Sequence, residues 1–305
     1  MNALKARAYR ISRTILYRGV IPVLSRTGPL DQHTLRLFRL LVPRRAFTSN
    51  IASPISVDGL TLLHDERRPS ATVRALAFGK YEPSVVDILN RRLREGMVVL
   101  DIGAHIGYHT MLAARLVGPT GRVWAFEPDP INRQYLGRNL EANHFGDRVT
   151  VVPTAVGCAS GSVTLHRADN DTGASTIVGM GSGSTAGDVQ VDLTTLDTWA
   201  AQNGWPPVNL IKMDIEGAEP DALAGMTELV RRNPALTLIV ECQKDALERT
   251  GASAMRLFDR LRELGFGSIQ GLDDQRGPYP LGSWSDATAV LRQSRWYPIN
   301  LCCSH

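Results

Sequence analysis

From Tyr81 onward, short apolar runs alternate with amphipathic stretches, and this alternation restricts the fold more than any other feature of the chain. Tyr81 to Arg94 reads as an amphipathic helix with Gly96 after it. Val98 to Ile102 is a short apolar run of β-branched character, the mark of a buried strand. A glycine turn follows, then a helix from Tyr108 to Val117 closed by Gly118 and a second strand from Arg122 to Phe126. Asp129 is placed to cap a third helix, with Pro130 at its first position, that runs to Ala142 before a third strand, Val149 to Pro153. The alternation resumes later with a strand at Val208 to Asp214, a helix at Pro220 to Arg232, a strand at Leu236 to Glu241 and a helix at Ser253 to Leu264. Ser268 to Gln270 and Ala287 to Leu291 read as a C-terminal hairpin pair. Such an order predicts an α/β fold with a doubly wound, mostly parallel sheet, which binds ligands at the carboxyl ends of its strands.

Two segments fall outside the alternation. Gly161 to Asp192 is rich in Gly, Ser, Thr and Asp, with short alternating pieces such as Val163 and Leu165. It reads as an insertion of small strands and loops. Residues 1–46 hold Lys5 and nine arginines against Asp31 alone, in a chain whose net charge is +4. There Leu4, Ala8, Ile11 and Ile15 recur at helical spacing, Pro22 ends the segment, and Asp31 can cap a second short helix carrying Leu35, Phe38 and Leu41. The chain is thus a mildly acidic body with a basic helical N-terminal extension. That asymmetry suits an anionic partner: membrane lipid, nucleic acid or a charged substrate. A helical arm packed on the body with solvated arginines is the alternative.

Composition narrows the class further. With 43% hydrophobic and 21% charged residues the chain is neither disordered nor fibrous. No apolar run approaches the ~20 residues that span a bilayer. The stretch Ile11 to Leu24 is broken by Arg13 and Arg18 and lacks a small-residue cleavage site, so no signal peptide is expected. Cys158, Cys242, Cys302 and Cys303 form no C-x-x-C pair. Cys302 and Cys303 read as small apolar residues of a final strand in a reduced, cytoplasmic protein, with peripheral membrane contact through residues 1–46 as an option.

The strand ends carry the chemistry. The first ends in Asp101, Gly103 and Gly107, spaced D-x-G-x-x-x-G. Gly103 allows a tight turn and Gly107 close helix packing. This is not dinucleotide spacing, and an acid beside a pyrophosphate would repel it, so the loop suits a ligand with an ammonium or sulfonium group. The second strand ends in Glu127-Pro128-Asp129, and an acid there can accept both hydroxyls of a ribose.

Val98 to Pro130 resembles the first two motifs of class I S-adenosylmethionine-dependent methyltransferases. Leu210 to Gly225, following Thr195-Leu196-Asp197, is similar to the signature of the FkbM-type family within that class, as is Gly79 to Pro83. The likeness covers roughly residues 75–245 and leaves residues 1–46 outside. It implies a Rossmann-like domain over 47–305: a cofactor half near 75–160, the insertion near 161–192, and an acceptor and C-terminal half near 193–305. It also implies that Asp101, Gly103 and Gly107 shape the methionine end of an S-adenosylmethionine site, that Glu127 holds the ribose beside Pro128, and that Pro153-Thr154-Ala155 runs along the adenine. Tyr81 would close the site from the preceding helix. His105 departs from the family, which usually has Asn there, and this puts its ligand contact in question.

The strand at Val208 to Asp214 leads into Lys212, Asp214 and Glu216, which would share one face of an extended strand. They are the candidate catalytic residues. An alcohol acceptor must lose its proton as it attacks the methyl group, and Asp214, Glu216 or a Lys212 with a burial-lowered pKa are the candidate bases. A structural lysine–carboxylate pair is the alternative. Asp214 and Glu241 could ligate a divalent cation, but neither a third ligand nor a diagnostic spacing is visible, and no metal is assigned. His109, early in a helix, reads as structural or exposed. Gly173 to Thr176 is a candidate acceptor wall. The expected function is O-methylation of a sugar, glycolipid or polyketide-like hydroxyl, where the resemblance supplies the oxygen. The alternative is a nucleic-acid or protein methyltransferase guided by the basic extension, and against it the fourth strand lacks the Pro-Pro-aromatic signature of many amino-group methylators. The glycine spacing weighs against a nicotinamide-linked oxidoreductase, and the strand-four charges against a non-catalytic binding module.

Overall fold

Eight strands form the central sheet of the computed structural model, which describes residues 51–66, 69–77, 81–168, 172–177, 185–249, 251–273, 277–281 and 299–305. A hairpin of β1 (Ile55–Val57) and β2 (Leu60–Leu62) and a helix α1 (Ala71–Ala77) precede it. The alternating body then runs α2 (Pro83–Arg92), β3 (Val98–Ile102), α3 (Tyr108–Val117), β4 (Arg122–Phe126), α4 (Pro130–Ala142) and β5 (Val149–Val152). The second half holds α5 (Leu196–Gln202), β9 (Leu210–Met213), α6 (Glu219–Ala224), α7 (Thr227–Arg232), β10 (Thr237–Cys242), α8 (Lys244–Arg249) and α9 (Ala254–Glu263). Between the halves lie β6 (Thr154–Val156), β7 (Gly161–Ala168) and β8 (Thr185–Thr194), a separate three-stranded sheet, as the composition of 161–192 led us to expect. The chain closes with β11 (Ser268–Asp273), β12 (Gly277–Pro280) and β13 (Ile299–Ser304).

The sheet order is β12-β11-β13-β10-β9-β3-β4-β5. Strands β10, β9, β3, β4 and β5 are parallel, while β13 is antiparallel to β10 and β11 to β13. The chain moves outward in one direction through β3, β4 and β5, then returns to the other side of β3 with β9 and β10. The order therefore reverses between β3 and β9, and a crevice opens beyond their carboxyl ends.

Alternate residues of the buried strands feed two apolar layers. Leu100, Ile102, Ile211 and Met213 pack with α5, α6, α7 and α9 on one face. Val99, Val123, Ala125, Leu210 and Ile239 pack with α1 to α4 on the other. Each fully buried Leu or Ile contributes roughly 1.5–3 kcal/mol. On this second face the period-two pattern changes from apolar to charged at the strand ends.

Two expectations need correction. The single helix at Pro220 to Arg232 is two helices, because Gly225 presses against the main chain: a Cβ there would lie 2.3 Å from the Gly157 carbonyl oxygen. Asp197 makes the restart favourable by accepting from the backbone N–H groups of Glu228 and Leu229 at 3.1 and 2.7 Å. The C-terminal pairing also differs, since β11 pairs with β12 and β13. Ala287 to Leu291 lies outside the described residues, as do residues 1–50 with the basic extension. Asp129 caps α4 as expected, accepting from Ile131 N at 2.7 Å. Cys302 and Cys303 lie buried in β13. Among the described residues no helix is long and apolar enough to cross a membrane.

Candidate active site

The loop after β3 turns sharply at Gly103, with φ +85°, because the next motif lies directly against it: a Cβ at this position would sit 1.9 Å from the Asp214 carbonyl oxygen. The D-x-G-x-x-x-G loop and the loop after β9 are thus packed backbone to backbone. Gly107 precedes α3 and lies against Leu136. His105 also has positive φ, 52°. Asn and His are both enriched in that region, so the departure from the family's Asn keeps the backbone requirement. Burial pushes the His105 imidazole down to about 4, so near neutral pH it is uncharged, as an amide would be.

Glu127 follows β4 and is buried. It accepts from His105 N at 2.7 Å and from Asp129 N at 2.8 Å, with Asn132 Nδ2 at 3.4 Å. Burial raises its pKa to about 7, and the two backbone donors oppose that rise. Glu127 and Pro128 share a cleft wall with Gly103, His105, Asn132, Thr154, Ala155, Asp214 and Glu216. The cleft encloses about 550 Å³ of space that includes open solvent. The Thr154 hydroxyl is buried and has no hydrogen-bond partner among the described residues. The insertion sheet supplies Leu165, Gly173, Ser175, Thr176 and Ile177 to the opposite wall. Two contacts hold that wall in place: Arg167 Nε to Asp129 Oδ2 at 2.9 Å, and Thr176 Oγ1 to the Glu216 carbonyl at 3.1 Å.

Three residues expected at the cofactor stand outside this wall. Asp101 is 2% exposed and accepts from Thr110 Oγ1 at 2.5 Å, and burial raises its pKa against the opposing pull of Lys212. Gly107 lies behind the loop. Tyr81 packs edge-on against Tyr108, with ring centres 6.0 Å apart, and against His109 at 5.6 Å.

Lys212, Asp214 and Glu216 do not share one extended face, because the strand ends at Met213 and Glu216 adopts φ 54° in the following turn. The turn is built by a residue that the strand-end reading passed over. Glu219 is 1% exposed and accepts from Ile215 N at 2.9 Å and Gly217 N at 3.0 Å. Its signal was an acid directly ahead of the helix expected at Pro220, next to the glycine turn at Gly217. Glu216 instead faces the cleft, with Arg249 Nη2 at 4.0 Å.

Lys212 Nζ donates to Asp214 Oδ2 at 2.9 Å. Burial opposes the Lys212 charge, but Asp214, Glu82 and Asp101 together hold its pKa well above the usual lysine value. These carboxylates favour the charged ammonium, the opposite of the burial-lowered pKa that a lysine base would need. Burial likewise opposes the Asp214 charge, yet Lys212 keeps this carboxyl below the usual range. Glu241 also hydrogen-bonds to Asp214, and burial with the neighbouring carboxyls drives the Glu241 pKa well up. The structure adds Glu82, just before α2, whose carboxyl lies with those of Asp214 and Glu241 inside a 4.8 Å span. His109 is buried, not exposed, and its Nε2 lies 3.4 Å from Glu82 Oε2.

S-adenosylmethionine fits these residues. Gly103 and His105 bring the loop after β3 onto the cleft wall, Glu127 presents a carboxylate to the cleft, and an unpartnered hydroxyl lies beside Ala155.

Comparison with known proteins agrees. The chain is 28% identical over 152 residues to the hexuronic acid methyltransferase AglP of Haloferax volcanii, covering 49% of this chain and 58% of that protein. It is 27% identical over 148 residues to the 2-O-methyltransferase NoeI of Sinorhizobium fredii, covering 44% and 59%. The chain thus spans little more than half the length of these curated relatives. A solved structure of an FkbM methyltransferase from Methylobacillus flagellatus superposes with a TM-score of 0.41 at 18% identity, covering 79% of this chain and 56% of that one. The methyltransferase FkbM domain matches residues 101–267, more than half of the chain, and the protein belongs to that family.

Proposed function

We propose that the protein transfers a methyl group from S-adenosylmethionine to a hydroxyl of a sugar-containing acceptor. The observation that carries this reading is the position of Asp214. It stands on the cleft wall beside Glu127 and Gly103 while Lys212, behind it, keeps its carboxylate charged. The cofactor supplies a methyl group already activated for displacement. The chain's task is to align the acceptor, exclude water and take the acceptor's proton. Gly103 permits close approach to the methionine end, Glu127 receives the ribose hydroxyls, and Thr154 and Ala155 line the adenine side. Asp214 accepts the proton, with Glu216 as the second carboxylate on the acceptor side. Gly173 to Thr176 form the acceptor wall.

The names of the relatives favour a sugar acceptor: one acts on hexuronic acid and another is a 2-O-methyltransferase. A protein-L-isoaspartate O-methyltransferase of Methanothrix thermoacetophila is 33% identical over 100 residues. A carboxylate placed as the attacking group would face Asp214 and Glu216 and be repelled, whereas a hydroxyl would not; the carboxylate of a uronic acid acceptor would have to point away from them. The basic extension over 1–46, in this reading, presents an amphiphilic or membrane-associated acceptor and takes no part in holding the cofactor.

The test is Asp214→Asn with labelled S-adenosylmethionine and glycan or glycolipid extracts. We expect cofactor affinity within about threefold of wild type and methyl transfer lowered by about a hundredfold or more. Near-normal transfer would remove Asp214 as the base. Label entering only protein carboxyl groups would overturn the hydroxyl acceptor.

A further inference from the structure

Strand alternation puts Arg167 of β7 on the same face as Val163 and Leu165. Those two pack with Ala155 and Val191 in the small core of the insertion sheet, and Leu165 lines the cleft. A charged residue at the end of this apolar row calls for a physical reason. The register supplies part of it. His166 pairs with Asp188 and Ala168 with Thr185, so Ala186 and Gly187 of β8 stand against Arg167 alone. Gly187 has φ +102°, as such a bulge requires. Bulges of this kind bend a strand and re-aim a side chain.

The side chain reaches the start of α4. Arg167 Nε donates to Asp129 Oδ2 at 2.9 Å, with the Asp129 side chain only 3% exposed. The other Asp129 oxygen, Oδ1, accepts from Ile131 N at 2.7 Å. The Asp129 N–H donates in turn to Glu127 Oε1 at 2.8 Å, while Glu127 Oε2 accepts from His105 N at 2.7 Å. A continuous path thus runs from the insertion sheet through Asp129 to the carboxylate that faces the cleft. Arg133 holds the main chain of the same turn, since its Nη1 donates to the carbonyls of Glu127 and Pro128 at 3.1 and 2.5 Å. Arg167 holds the Asp129 side chain. The charged groups around Glu127 are therefore Asp129, Arg133 and Arg167; Asp214 and Lys212 act on His105, which is uncharged near neutral pH. Asp129 pushes the Glu127 pKa up, and Arg167 stands directly against that charge.

We propose that Arg167 is a positioning residue for the cofactor, fixing Asp129 from the insertion sheet and, through Asp129, the Glu127 carboxylate. The ribose side of the cleft is then complete only with the insertion sheet docked. The same sheet reaches the other side of the cleft, where Thr176 Oγ1 donates to the Glu216 carbonyl at 3.1 Å. One sheet thus braces both the turn that receives the cofactor and the turn that faces the acceptor. Ordering it at one end favours binding at the other, and the coupling is reciprocal. That use rests on the methyl-transfer reading; the hold of Arg167 on Glu127 does not.

The full chain, made with isotope-labelled glutamate, is titrated by nuclear magnetic resonance without cofactor. The Glu127 carboxyl signal is identified by its loss in Glu127→Gln, and its wild-type midpoint is expected at about 7. Arg167→Met leaves Asp129 without its counter-charge, so the midpoint should rise by about half a pH unit or more. Arg167→Lys restores the charge and should bring it most of the way back, while Asp129→Asn should lower it. Calorimetry then follows S-adenosylhomocysteine. Arg167→Met should weaken binding about threefold to tenfold near pH 7, and the loss should shrink as pH rises and Glu127 ionises in both proteins. A folded Arg167→Met with an unmoved midpoint, or with one constant loss of affinity at every pH, overturns the proposal, because a mere brace would act in that way. If Arg167→Met fails to fold, an Asp129→Asn midpoint equal to wild type overturns it as well. Wild-type protein that ignores S-adenosylhomocysteine would defeat the methyl-transfer reading, and a moved midpoint would still support the hold of Arg167 on Glu127.

Discussion

Lys212 Nζ and Asp214 Oδ2 are 2.9 Å apart, with side chains only 5% and 17% exposed. Across the sheet, Asp101 is the register partner of Lys212. One ammonium therefore balances carboxyls from two motifs that are far apart in the chain.

Replacing that cation tests the balance. Lys212→Met leaves Asp101, Asp214 and Glu82 facing one another without a counter-charge. Breaking a buried pair costs about 3–5 kcal/mol, and we expect a loss of that order in urea unfolding near pH 7. Repulsion raises the folded-state pKa of the remaining carboxyls, so protonation favours the folded variant. Its deficit should shrink as pH falls from about 7 to about 5. A deficit that stays constant over this range would show that Lys212 serves packing alone.

Glu127 gives a second pH dependence. Its folded pKa is about 7, raised from an ordinary value near 4.5. The unliganded fold thus loses stability from this group as pH rises from about 4.5 to about 7. Ribose hydroxyls donate to the carboxylate form, so cofactor affinity should rise with pH through about 7 and level off above it. Calorimetry from about pH 6 to about pH 8 measures this. Glu127→Gln should flatten the profile and weaken binding about tenfold to a hundredfold at the upper end. Wild-type affinity that ignores pH would contradict the ribose role.

Gly103→Ala places a Cβ against the Asp214 carbonyl, and no side-chain movement relieves a backbone clash. We expect cofactor binding to vanish and stability to fall by about 3 kcal/mol or more. At Gly107 the added Cβ meets only the end of the Leu136 side chain, 2.4 Å away, so Gly107→Ala should lose less. Equal losses in thermal unfolding would show that backbone strain, common to both, outweighs the clash.

The basic extension is tested by sedimentation with anionic vesicles. The full chain should co-sediment at low salt and release as salt rises, while a chain beginning at Phe47 should not bind. Cofactor affinity should be the same for both. Full-length protein that ignores the vesicles would remove the membrane-facing acceptor.

Strand and helix positions were legible because buried parallel strands and amphipathic helices leave different periods in the chain. Gly103 and Glu127 were legible because their roles are local: a turn and a strand end. Glu82, His109 and Asn300 were not, since each reaches the charged strand ends only through tertiary packing, even though Glu82 and His109 lie in segments that carry the family likeness. The break at Gly225 was hidden for a similar reason. A single glycine is tolerated inside a helix at modest cost, and what makes the break here is the Gly157 backbone from another part of the fold. Glu216 was misplaced because the reading continued a strand past Met213, where Glu219 gathers the N–H groups of a turn.

The place of β13 between β10 and β11 bears on how the chain is made. Emerging from the ribosome, β11 and β12 have no berth on the sheet, because the strand that joins them to β10 has yet to be synthesised. β13 is the link that ties β11 and β12 to the parallel strands, and it brings Asn300 to Glu82. A chain cut before Ile299 would shed β11 and β12 along with the strand removed.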